Sequence, residues 1–224
     1  MRDILLACCL VLWHSTPVYA NDHTAAAALT KILPQHCLLA GHFTQTRKLH
    51  TLPAPLISSG QFFFSCHNGL IWQTDSPINE TLVYTQQAYH FQIKEQQPPQ
   101  LLQSRLHDHL AKILLGLMSA DKHYLQEQFA INSEPNDNAS FILKPKNKQL
   151  KRALRKIIIH QQAKLNTIKI VNINKETTQI EISNVQHFTG HDNSHVQSFC
   201  HDFAGKIQLA CDILIQPQNH LTLH

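Results

Sequence analysis

Apolar positions fall first at helical spacing. Ala25, Ala26, Ala27 and Ala28 with Leu29, Ile32 and Leu33 follow Thr24, a residue suited to cap a helix, so residues 24–40 read as an opening helix interrupted at Pro34. After Gly41 the period changes to two. Phe43, Gln45, Arg47 and Leu49 alternate with Thr44, Thr46 and Lys48 up to Leu52-Pro53-Ala54-Pro55, where a central strand cannot continue. Residues 58–93 then read as short strands separated by turns: Gly60-Gln61-Phe62-Phe63-Phe64-Ser65, Leu70-Ile71-Trp72-Gln73-Thr74, Thr81-Leu82-Val83-Tyr84-Thr85 and Ala88-Tyr89-His90-Phe91-Gln92-Ile93. Asn68-Gly69 and Asp75-Ser76-Pro77 supply the first turns of this antiparallel meander.

A polar stretch with Pro98-Pro99 separates the meander from residues 101–118. There Leu102, Leu106, Leu110, Ile113, Leu114 and Leu117 repeat at three and four, the strongest helical stripe in the chain. Residues 121–129 read as a short helix. Strands resume at Phe141-Ile142-Leu143, Ile157-Ile158-Ile159, residues 168–173 and Gln179-Ile180-Glu181-Ile182, and within residues 185–224 an edge strand near 207–215 or a disulfide loop is expected. The resulting class is α+β: a long antiparallel sheet that curls without closing, an incomplete β-barrel or half-barrel, with about three helices across its mouth over an apolar cavity. No internal repeat or second domain is apparent.

The N-terminus alters the domain count. Arg2 precedes the apolar run from Ile4 to Trp13, and Val18-Tyr19-Ala20 resembles a signal-peptidase site, so residues 1–20 read as a signal peptide cleaved after Ala20, with export to the periplasm. The run is well short of the ~20 residues that span hydrocarbon. Leu5-Leu6-Ala7-Cys8 is a rival lipidation site at Cys8, but too little apolar chain precedes it. The remaining roughly 200 residues suffice for one domain with a sizeable core. Residues 21–184 form that domain, and 185–224 a histidine-rich extension. The formal charge of +4 is spread thinly, apart from the run Lys144 to Arg152, which reads as a solvated basic turn, so nucleic acid is not an expected partner.

Chemistry-bearing residues are scarce. There is no Gly-x-Ser-x-Gly, no Cys-x-x-Cys and no phosphate-cradling glycine loop among only six glycines, so neither catalysis nor a cofactor is expected. Cys37, Cys66, Cys200 and Cys211 allow three disulfide pairings. Cys200 with Cys211 would close a short loop around Gly205, leaving Cys37 and Cys66 either as a second bridge or as two buried thiols. Histidine is in excess at seventeen. His187, His191, His195, Cys200 and His201 contain zinc- or copper-ligand types, which makes a metal-binding or redox protein the alternative reading, although their spacing matches no closed structural site.

Several segments are familiar as an ordered set. Phe43 to Leu49, Pro55-Leu56-Ile57-Ser58-Ser59-Gly60, Gly69-Leu70-Ile71-Trp72-Gln73-Thr74-Asp75-Ser76-Pro77, Thr81 to Thr85 and Phe141-Ile142-Leu143-Lys144-Pro145 run in the order and spacing of the LolA-like outer-membrane lipoprotein carriers, and the resemblance covers about residues 24–184. It implies a monomeric periplasmic carrier whose cavity accepts acyl chains from an inner-membrane donor complex and releases them to an outer-membrane acceptor. Leu70 and Trp72 match cavity-facing strand positions in the family; Phe62 and Phe64 follow by alternation, and Leu82, Tyr84, Phe91, Leu110 and Leu114 complete the candidate lining. One departure stands out. In the lipoprotein carriers an arginine in the turn before the tryptophan strand bonds to the lid, and Cys66 occupies that position here, which opens the cargo to another amphiphile such as a glycolipid.

Overall fold

Eleven antiparallel strands make one open sheet in the computed structural model, which describes residues 22–102, 105–134, 137–162, 165–189, 196–198 and 208–221. The expected signal peptide, Cys8 and the histidines at 191, 195 and 201 lie outside the described residues. Two meanders share the sheet. The first comprises β1 (Leu38–Lys48), β2 (Leu56–Ser65), β3 (Gly69–Ser76), β4 (Glu80–Thr85), β5 (His90–Lys94) and β6 (Gln100–Leu101); the second comprises β7 (Phe129–Glu134), β8 (Asp137–Pro145), β9 (Leu154–Gln162), β10 (Leu165–Asn172) and β11 (Thr177–His187). Pairing of β1 with β11, Leu39 opposite His187 to Lys48 opposite Thr177, joins them, and β6 and β7 are left as the two edges. The sheet is therefore unclosed, with several helices packed on it.

Alternation decides which side chains face inward. Leu39 and Phe43 on β1, Phe62 and Phe64 on β2, Leu70 and Trp72 on β3, and the isoleucine pairs 157/159, 168/170 and 180/182 on β9 to β11 all enter one large core. Residues of α1 (Asp22–Ile32), α2 (Arg105–Met118) and α3 (Lys122–Gln128) pack into this core. The opposite residues of the same strands, Leu38, Ala40, Phe63, Ile71, Val83 and Phe91, form a second core on the outer face, under α5 (Gln208–Ile215). The Asn68-Gly69 signal is realised as expected. Gly69 has φ +131°, and a Cβ there would lie 2.0 Å from the Tyr84 carbonyl oxygen on β4, so only glycine lets the hairpin start this close to its neighbour.

Several expectations need correction. The opening helix spans only Asp22–Ile32, with Thr24 inside it rather than at its cap, and Leu38, Leu39 and Ala40 belong to β1; Pro34 disfavours helix just before it and so ends the helical run early. The basic run is not merely a turn. It contains α4 (Lys148–Ala153), whose first amides are capped by Asn147 Oδ1 accepting from Leu150 N at 2.7 Å, while buried Leu150 anchors it. Strand β7 was not anticipated, because Phe129 and Ile131 are followed by polar Asn132, Ser133 and Glu134 and only pairing with β8 makes the pattern visible. Residues 208–215 are a helix and not an edge strand. Ala210, Cys211, Ile213 and Leu214 are buried at helical spacing against an outer sheet face that needs a cover. No helix among the described residues is long and apolar enough to cross a membrane.

Candidate functional site

A cavity of about 940 Å³ opens between the end of α1, the end of α2 and the inner faces of β1, β2, β9, β10 and β11. Its floor is wholly apolar: Leu33, Leu39, Phe62, Leu117, Met118, Ile159, Ile168 and Ile182, all buried. Its mouth is polar, with Lys31, Gln35, His36, Asn184 and His187 exposed around it and Gln161, Asn166 and Ser183 half-buried below them. Such a lining has room and polarity suited to a hydrocarbon chain in its depth with a polar end in water. Its volume lies within the range of roughly 300–1,000 Å³ usual for small-molecule pockets.

Local features of the chain open this space. Between Ala40 opposite Gln186 and His42 opposite Ser183, β11 has two residues where β1 has one, a β-bulge at Asn184 and Val185. Asn184 takes φ 52°, a conformation that asparagine tolerates better than most residues. The bulge breaks the two-residue period, so that Ile182, Ser183, Asn184 and Val185 all reach the cavity. Opposite, Gly41 leaves room for the Phe62 ring; a Cβ at 41 would stand 2.8 Å from Phe62 Cε1. The loop after α1 is tied down at several points. Gln35 donates through Nε2 to the Thr30 and Leu33 carbonyls at 2.5 and 2.8 Å, the His36 ring lies 4.4 Å from that of His187, and Cys37 forms a disulfide with Cys66.

The expected lining residues divide into four groups. Phe62 lines the cavity. Phe64, Leu70, Trp72 and Tyr84 lie in the inner-face core, and Leu82 and Leu114 pack against it, but none of these six lines the cavity. Trp72 is held between aromatic neighbours, stacked on Phe43 at 3.8 Å between centroids and on Phe62 at 6.1 Å. Phe91 is corrected: paired with Val83, it points to the outer face and packs in the core under α5. Leu110 falls within α2, and its side chain lies outside the described residues. The lining that was missed comes from the α1–β1 loop and from β9 to β11. The alternating isoleucines of those strands marked an inner face, but nothing local indicated which stretch of it would be left unfilled.

Ionisable chemistry is sparse here. Burial, reinforced by Glu80, pushes the Tyr84 hydroxyl up to about 12, and burial with Asp121 and Glu127 does the same to Tyr124; neither lines the cavity. No group of three or more metal-ligating side chains occurs among the described residues. Of the histidine cluster only His187 is described, and its ring lies beside that of His36 at a tilt. The bridge of Cys37 with Cys66 is formed; Cys211 is disulfide-bonded too, while Cys200 lies outside the described residues.

The family model for "Outer membrane lipoprotein carrier protein LolA" matches residues 37–195, well over half of the 224-residue chain. The chain belongs to the LolA family. It is a divergent member, since no curated protein matches it significantly. Among solved structures it is similar to a LolA superfamily protein of Nitrosomonas europaea, at 8% identity over 76% of this chain and 95% of that one with a TM-score of 0.45. It is also similar to a DUF1329 family protein of Desulfovibrio piger, at 9% identity over 78% and 95% with a TM-score of 0.47. It is similar as well to an "outer membrane lipoprotein-sorting protein domain" of Vibrio parahaemolyticus, at 8% identity over 78% and 96% with a TM-score of 0.45. In this LolA family member Cys66 is bonded to Cys37, so the chain just after β2 and the loop after α1 are joined covalently.

Proposed function

We propose that this protein is a periplasmic carrier, not an enzyme, which holds the acyl chains of a lipoprotein or of another amphiphile in the cavity and delivers them towards the outer membrane. The observation that carries this reading is the cavity of about 940 Å³ with eight buried apolar residues below an exposed polar mouth. Each methylene taken from water into that floor contributes about 0.8 kcal/mol, so one acyl chain suffices for tight yet reversible binding without any reaction. Release then requires an acceptor that binds the chain more strongly. Helices α1 to α3 act as the lid, and displacement of α1 and the end of α2 is the simplest way to widen the entrance, because both border it. The carrier works as a monomer between an inner-membrane donor complex and an outer-membrane acceptor and needs no cofactor.

Native mass spectrometry of protein released from the periplasm without detergent tests this reading. A complex with one amphiphile is expected. In Ile182→Trp, whose indole would occupy the floor, the bound fraction should fall about tenfold while the melting temperature moves by only a few degrees. Protein that is free of amphiphile and takes up none when offered would overturn the proposal.

A further inference from the structure

The cavity mouth is electrostatically one-sided. Its ionisable residues are Lys31, His36 and His187, all exposed, and no carboxylate is found among the described residues that line the cavity. Lys31 stands in the last turn of α1, and the two imidazole rings, tilted by 36°, lie 4.4 Å apart where the α1–β1 loop meets the end of β11. Beside them Asn184, at the bulge, borders the same opening and adds an amide donor.

We propose that this mouth is a headgroup site that selects anionic amphiphiles, with Lys31 as the fixed charge and His36, His187 and Asn184 as hydrogen-bond donors around one acidic group. The inference rests on the carrier reading and narrows it. A chain seated on the apolar floor places its head at the level of these residues, where a phosphate or carboxylate meets an ammonium and N–H donors, whereas a cationic head meets only like charge. The site takes the acid attached to a chain and not the free anion, since the apolar floor supplies most of the affinity.

Titration calorimetry of the purified full-length protein with palmitoyl lysophosphatidylglycerol and palmitoyl lysophosphatidylcholine, below their micellar concentrations and at about 0.15 M salt, tests the proposal. The two probes share their chain and differ in net charge. The anionic probe is expected to bind about tenfold more tightly. The Lys31→Ala/His36→Ala/His187→Ala variant, altered only at exposed positions, should reduce that ratio to near one, and Lys31→Glu should invert it. Equal affinity in the unaltered protein, or a preference that survives in both variants, overturns the headgroup site while leaving the carrier standing. Glycerol phosphate binding as tightly as the lipid also overturns it, by making the mouth a free-anion site. If neither lipid binds, the carrier reading falls and the headgroup site falls with it.

Discussion

Trp72 is the residue whose surroundings differ most in meaning from its position in the chain. Its strand and face are the expected ones; it stacks on Phe43 and Phe62 in the inner core and does not line the cavity described above. Trp72→Ala should therefore cost about 3–5 kcal/mol of stability, read by urea unfolding, and a stable variant defective only in amphiphile binding would contradict the packing seen here. Tyr84 offers a test in pH. Its neutral hydroxyl is favoured by burial first and by Glu80 second, so its folded value of about 12 exceeds the usual 10. The contribution is complete below pH 10 and is lost as pH rises through 12; Tyr84→Phe should flatten the alkaline fall in unfolding free energy by up to about 2–3 kcal/mol. Measured between pH 9 and 12, identical slopes for both proteins would rule this out. Face membership at the residue scale was legible wherever a strand keeps strict alternation, as at Phe62, Phe64, Leu70 and Trp72. Phe91 was misplaced because its face depends on its pairing with Val83, which no local pattern reveals.

At the scale of elements, the α1–β1 loop and the start of β1 shape the cavity entrance, and a single covalent link fixes them to β2. Cys37 and Cys66 are 29 positions apart and sit at the end of the β1–β2 ladder, beside Leu38 opposite Ser65. Loss of a bridge closing a loop of that size costs about 3–4 kcal/mol in the chain-entropy account. The Cys37→Ser/Cys66→Ser variant should show that loss in its urea midpoint, and because Cys211 is bridged separately this variant is more informative than reduction of the whole protein. An unchanged midpoint would mean that the backbone bond from Cys66 N to the Cys37 carbonyl at 3.0 Å already holds the ends together. Long periodic elements were readable in advance: α2 by its leucine stripe, and β1 to β5 and β8 to β11 by alternation or apolar runs. Those that draw their apolar surface from a distant partner were not, as with β7 beside β8 and α5 on the outer face of the sheet.

For the whole molecule, one sheet separates two cores with different tasks. The outer core lies under α5, whereas the inner core borders a cavity lined from β1, β2 and β9 to β11. Membership of the LolA family accords with the open sheet and its helices. The location of the open space was beyond the sequence, because a cavity is a difference between surfaces that pack and surfaces that do not, and every strand of the inner face has the same alternating signature. Mapping where a chain binds therefore tests the account most directly. A palmitic acid derivative with a photoactivatable diazirine near its methyl end, cross-linked to the native protein and located by peptide sequencing, should label Leu39, Ile159, Ile168 or Ile182 on the cavity floor and be displaced by unlabelled palmitate. Labelling confined to the outer face around Phe91 and α5, or labelling that unlabelled palmitate does not reduce, would contradict it.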